Sequence, residues 1–197
     1  MAHLSSSLLL LVAASAVMIL TVAPQADARR HKPHRFSLHH QNLGSSLPFL
    51  GVQINGLCRS TDYPDVCISA LSSSPLGPLS PATAIISTIR AIDLKAKVAR
   101  GVSLQLAARA TDRMTRENLK NCAEMYADVS FNLAKSLANV RSRDRNVLNV
   151  NLSAVIDDFE TCNDGFVENG TRSPLAAQND VMRKMASNGL ALAEKLK

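Results

Sequence analysis

From Ala82 to the end of the chain, apolar side chains recur alternately four and three positions apart, the spacing that lines one face of an α-helix. The first stripe is Ile85, Ile89, Ile92, Ala96, Ala99, Ser103, Leu106 and Ala110, with Ser80 as a cap, Pro81 in the first turn and Gly101 as a weak point. A second opens near Thr111-Asp112 and runs through Leu119, Cys122, Tyr126, Val129, Leu133, Leu137 and Val140. The polar run Arg141-Ser142-Arg143-Asp144-Arg145 breaks it, and Asp144 is placed to cap a third helix with the stripe Leu148, Leu152, Val155, Phe159, Cys162 and Phe166. Gly165, Asn169, Gly170 and Pro174 end that helix. Ser173-Pro174 is expected to start a fourth, with Leu175, Gln178, Met182, Met185, Gly189, Leu192 and Leu196 inward. Four amphipathic helices on short connections predict an all-α, antiparallel up-down four-helix bundle over residues 81–197.

The cysteines fit that topology. The midpoint of Cys122 and Cys162 is residue 142, inside the expected turn, so an antiparallel hairpin folding there sets both at one height on facing stripes. Their pairing closes about 40 residues, and the loop-entropy model values that at roughly 4 kcal/mol as an upper figure. Cys58 and Cys67 straddle the turn Thr61-Asp62-Tyr63-Pro64 in the same way, which predicts a second disulfide and a short hairpin over residues 51–80.

Upstream the pattern changes twice. Leu8 to Leu20 is an apolar run followed by Ala26-Asp27-Ala28, the grammar of a secretory signal cut after Ala28, although His3 is the only basic candidate before the run. The run is shorter than the roughly 20 residues of a membrane span, so no span is expected in the mature protein. Residues 29–50 read as a basic, His-rich, disordered tail, with Arg29, Arg30, Lys32 and Arg35 and no acid. Weak pectin binding through residues 29–40 is one use for it, metal chelation by its histidines a second, and a solvated leader without a partner a third. Two sequons, Asn151-Leu152-Ser153 and Asn169-Gly170-Thr171, are glycosylation candidates; Asn169 is in a loop and Asn151 within a helix.

Composition narrows the chemistry. Loss of residues 1–28 removes one acid, leaving 22 basic against 15 acidic residues, a charge of +7. With no Trp, two Tyr and five Phe, the core must be aliphatic and stacking platforms for nucleic acid are lacking, so no nucleic-acid partner is expected. Every mature histidine lies between His31 and His40. A Ser-His-Asp or Cys-His site, or a His-ligated zinc, therefore has no histidine inside the bundle. Asp157, Glu160 and Asp164 share one helix face beside Asp158, where a solvated surface outweighs an acid/base pair. Met114, Met125, Met182 and Met185 fall at helical spacing and are assigned to core filling. No catalytic residue, metal site or cofactor is expected.

Several of these residues form a set that resembles the plant invertase and pectin methylesterase inhibitor family: Cys58-x-x-Thr61-x-Tyr63-Pro64-x-x-Cys67, Leu119 to Tyr126, Leu152-Ser153-Ala154, Thr161-Cys162-x-Asp164-Gly165-Phe166, and Ser187 to Leu192 with Gly189 in place of Ala. The likeness spans residues 52–197. It implies an N-terminal helical hairpin before the bundle, disulfides first to second and third to fourth, and a non-enzymatic inhibitor that forms a one-to-one complex with a cell-wall enzyme in the apoplast. In the family's pectin methylesterase inhibitors, bundle residues cover the substrate cleft; in its invertase inhibitors, a loop enters the sucrose pocket. The Pro-Lys-Phe segment associated with invertase recognition is absent, as is the helix Trp before Leu152-Ser153-Ala154, where Asn151 stands. Ser173-Pro174-Leu175-x-x-x-Asn179 resembles the invertase-inhibitor branch. Pectin methylesterase is the favoured target, cell-wall or vacuolar acid invertase the alternative, and a non-inhibitory pectin-binding wall protein a third reading. By family match Thr161 is the leading target-contact candidate, with Lys120 a second.

Overall fold

The computed structural model describes residues 46–73 and 78–197. The expected signal segment, and the basic tail as far as residue 45, lie outside the described residues. Six helices are present among the described residues: α1 (Ser46–Cys58), α2 (Pro64–Ser72), α3 (Pro81–Arg109), α4 (Arg113–Ser142), α5 (Arg145–Val167) and α6 (Ala176–Ala193). The last four form an antiparallel up-down ring in which α3 packs on α4, α4 on α5, α5 on α6 and α6 back on α3. Helices α1 and α2 make the N-terminal hairpin, and α2 seats it against α3 and α6. Helix α1 starts at Ser46, inside the stretch assigned to the tail. Its Leu50 packs on the core and Ile54 is buried, so apolar burial draws this part of the chain into the fold.

Local chemistry sets the helix ends. Ser80 Oγ accepts the Thr83 N–H at 3.1 Å while Thr83 Oγ1 accepts the Ser80 N–H at 2.8 Å, a reciprocal cap with Pro81 following. Asp112 accepts the Thr115 N–H at 2.7 Å and Asp144 the Val147 N–H at 3.1 Å, each taking an amide with no partner inside its helix. These amides stabilise the ionised form of Asp112, and the Thr115 bond is the largest cause of its lowered pKa. Disulfides join Cys58 to Cys67, with Cα atoms 5.6 Å apart, and Cys122 to Cys162, 4.7 Å apart.

The core is one aliphatic column with Tyr126, Phe159 and Phe166 inside it. Every residue of the α5 stripe is buried. Several expected positions differ, among them Leu137 on α4, half-buried beside the buried Ser136. On α3 the long helix drifts out of register, and Ala107 is buried where Leu106 is only half-buried. On α6 Gln178 is exposed and Asn179 is buried, because the spacing from Leu175 is four rather than three. Met114 is exposed, lying in the first turn of α4 before its buried stripe begins. Helix α6 also starts at Ala176: Ser173 Oγ accepts the Leu175 N–H, so Ser173-Pro174 makes a turn ahead of the helix.

Where the family segment has Ala, Gly189 lies against α5; a Cβ there would sit 3.3 Å from Leu152 Cδ1. The large Leu152 and the missing methyl are thus complementary.

Candidate target-binding face

Two of the hydrogen bonds between α4 and α5 flank Thr161. Asn118 Nδ2 donates to the Gly165 carbonyl at 2.6 Å, and Asn132 Nδ2 donates to Asp158 Oδ2 at 3.3 Å. Thr161 stands three residues after Asp158 and four before Gly165, so it shares their side of α5. It is exposed, on the α4 edge of a solvated strip formed by Asp157, Glu160 and Asp164. The next residue is the buried Cys162, stapled to α4. An exposed hydroxyl is thereby held on a helix that cannot slide or roll against its neighbour.

Lys120 is exposed and pairs with Glu117 at 3.1 Å. Two residues after Asn118 on the same helix, it projects about 200° away from the α5-facing side. The fold does not bring it beside Thr161. Phe131, 60% exposed with Lys135 Nζ 4.1 Å from its ring centroid, lies on that outer face of α4. Periodicity alone gave no reason to single it out.

Beneath the strip lies a buried polar hub that the stripe reading missed. The Tyr126 hydroxyl donates to Asn179 Oδ1 at 2.6 Å, and Asn179 Nδ2 donates to Asn163 Oδ1 at 2.9 Å and lies 3.2 Å from Cys162 Sγ. Burial pushes the Tyr126 pKa up, keeping the hydroxyl a donor. The signal was present in Ser173-Pro174-Leu175-x-x-x-Asn179, but only tertiary contact shows its use. A second missed device anchors the hairpin. Asn188 accepts the Tyr63 N–H at 2.9 Å and donates to the Tyr63 carbonyl at 2.8 Å, while Ser187 donates to Asp62 at 2.7 Å.

Asp158, beside the strip, is the acid that turns inward. Burial pushes its pKa up to about 6, helped by the like charges of Asp128 and Asp157 and opposed by the Asn132 hydrogen bond. In the unfolded chain it titrates near the ordinary value of about 3.9. The folded chain therefore binds this proton more tightly, and acidification from pH 7 through 6 towards 4 adds stability. Asp158→Asn should flatten that dependence by about 1 kcal/mol, allowing for the solvent that still reaches the carboxyl. Thermal melts across pH 4–7 check this, and a wild-type slope in the variant contradicts it.

Among the described residues, no group of three or more His, Cys, Asp or Glu side chains is placed to hold a metal ion, and no helix is long and apolar enough to cross a membrane. The fold and site define a class: a disulfide-stapled helical bundle that presents a rigid polar face. Comparison with known proteins narrows it. The family profile described as plant invertase/pectin methylesterase inhibitor matches residues 52–192. Pectinesterase inhibitor 6 of Arabidopsis thaliana is 32% identical over 155 residues, covering 72% of this chain and 70% of that protein. A Platanus orientalis protein, provisionally named an invertase inhibitor, is 28% identical over 135 residues, covering 67% and 79%. The crystal structure of a mutant form of a pectin methylesterase inhibitor from Arabidopsis superposes with a TM-score of 0.64 at 16% identity, over 74% of this chain and 97% of that one, a likeness of fold. The chain belongs to the plant invertase/pectin methylesterase inhibitor family, whose members are inhibitors.

Proposed function

We propose that the protein is secreted to the apoplast and blocks plant pectin methylesterase in a one-to-one, non-covalent complex through the α4–α5 face around Thr161. The observation that carries this reading is the pre-organised strip itself. Thr161 sits between two inter-helix hydrogen bonds and beside a disulfide, so little backbone freedom remains to be lost on binding. The acids at its edge suit an enzyme surface carrying positive charge. Lys120, on the outer face of α4, contributes only if the partner wraps around that helix.

Acid invertase, in wall or vacuole, is the second reading. It is favoured by the Platanus relative and by the segment ending in Asn179. The test is to titrate purified mature protein in parallel against a plant pectin methylesterase, reading methanol release, and against acid invertase, reading hexose release. Inhibition of the first alone supports the proposal. Inhibition of the second alone replaces it with the alternative.

Passage through the secretory pathway has a covalent readout. Asn169 is exposed in the turn beside Gly170, whose φ is +67°, and although its Nδ2 donates to the Gly165 carbonyl at 2.7 Å, that bond is at the surface, where solvent reaches the side chain. Asn151 is buried in α5 and donates its amide to Asn139 Oδ1 at 2.8 Å. Mass spectrometry of the plant-expressed protein should show a glycan that Asn169→Gln removes and Asn151→Gln leaves in place. A glycan on Asn151 contradicts the assignment.

A further inference from the structure

The end of the bundle where α4 passes into α5 carries positive charge that the proposed inhibitory face does not use. Arg141, Arg143 and Arg145 are all exposed within five residues. Lys195 and Lys197 follow α6 at the same end. The two chain segments are in contact there: Arg145 Nη1 reaches Glu194 Oε2 at 3.4 Å, and Arg143, Asp144, Arg145, Asn146 and Leu196 line one shallow concavity of about 400 Å³. Five cations thus stand against two acids, and both acids are engaged. Asp144 caps α5 through the Val147 N–H, and Glu194 meets Arg145 and Asn149. The Arg141 and Arg143 guanidinium groups have no hydrogen-bond or ion-pair partner among the described residues.

Arg143 is also the only non-glycine residue with positive φ among the described residues, at φ 58° and ψ 27°. This left-handed position closes α4, and glycine is the residue that takes it without strain. A long cation in that place costs backbone energy and places a free guanidinium at the tip of the turn. Strain held by a residue with no internal partner points to an external one.

We propose that this end of the bundle binds an acidic polysaccharide, a chain of uronate carboxylates such as de-esterified pectin, with Arg141 and Arg143 as its main contacts. Guanidinium groups match carboxylates in a two-pronged geometry, and charges spread along a shallow, open turn suit a polymer with repeating carboxylates. Residues 141–147 and 194–197 contain no aromatic side chain, so the patch offers nothing for bases to stack on. The choice of polymer rests on the proposed function, which places the protein beside pectin. Sixteen residues of α5 separate Arg145 from Thr161, roughly 24 Å at 1.5 Å per residue. One molecule can therefore hold the polymer at this end and the enzyme along its side, keeping the inhibitor on stretches of wall where ester groups have been removed.

Affinity electrophoresis in gels containing polygalacturonate, using the full mature chain, tests the proposal. Arg141→Gln/Arg143→Gln should bind about tenfold more weakly at low salt, with a salt slope shallower by about 1.5, as expected for two lost charge contacts to a flexible polyanion. Its melting temperature and its inhibition of pectin methylesterase should be unchanged. Arg143→Gly should weaken binding while raising the melting temperature, a pairing that a purely structural role would not give. Wild-type retardation of the double variant overturns the proposal. So does equal retardation by fully methyl-esterified pectin, or complete loss of binding when only Arg29, Arg30, Lys32 and Arg35 are changed to Gln. Because retardation is read without any enzyme, failure of the inhibitory reading and failure of this one are separable.

Discussion

Asn179→Leu is expected to destabilise the protein by about 3 kcal/mol, because it strips partners from two other side chains at once. The Tyr126 hydroxyl is buried and donates to Asn179 Oδ1 at 2.6 Å; without that oxygen the donor is left in an apolar core. Asn163 loses the amide that donates to its Oδ1 at 2.9 Å. A loss of this size lowers the melting temperature of a domain of this length by roughly 6–12 °C. The partner variant separates the hydrogen bond from the packing. Tyr126→Phe alone removes the donor and should cost about 1 kcal/mol. In Tyr126→Phe/Asn179→Leu no phenol remains to be orphaned, so the double variant should be more stable than the sum of the two single losses implies. Strict additivity in denaturant melts would show that the two side chains do not act together.

Removing the long disulfide should have a comparable effect. Cys122→Ala/Cys162→Ala frees a 40-residue loop in the unfolded chain, worth roughly 4 kcal/mol by loop entropy, whereas the nine-residue span of Cys58–Cys67 is worth about 2.6 kcal/mol. The larger loss falls where function is proposed. Cys162 is next to Thr161, and its sulfur lies 3.2 Å from Asn179 Nδ2 and 3.9 Å from the Tyr126 hydroxyl, so the staple and the polar hub form one unit. Opening this bridge should therefore weaken inhibition as well as stability, while Cys58→Ala/Cys67→Ala should loosen the hairpin and leave the α4–α5 face in place. Equal effects of the two double variants on inhibition, measured well below both melting temperatures, would contradict this division.

These residues also show what a linear sequence discloses. The α5 stripe is visible because a four-three spacing has only one way to bury itself in a bundle, and all six of its residues are inside. A pairing of Cys122 with Cys162 follows from a turn at residue 142, and α4 ends at Ser142. Asn179 was not legible in that way. A polar residue in a core position is indistinguishable by periodicity from one on the surface, and Gln178 beside it is the equally polar alternative; only Tyr126, 53 residues earlier, selects between them. The same holds for Asn188, whose partner Tyr63 is 125 residues away. Lys120 and Thr161 both sit in recognisable motifs, but a motif carries no information about which way two different helices turn their faces. Asp158 reads as one of four surface acids until Asn132 of the neighbouring helix is seen to claim it.

The proposed inhibitory face has a direct test in Thr161→Lys, a change at an exposed position that leaves the core, both disulfides and the α4–α5 hydrogen bonds intact. Titrating wild-type and variant protein against a plant pectin methylesterase at the mildly acidic pH of the wall, with methanol release as the readout, should give one-to-one inhibition by the wild type. The variant should show at least a tenfold weaker inhibition constant, about 1.4 kcal/mol, at an unchanged melting temperature. Wild-type inhibition by the variant, or a wild-type protein that leaves pectin methylesterase untouched while stopping acid invertase, would contradict the account.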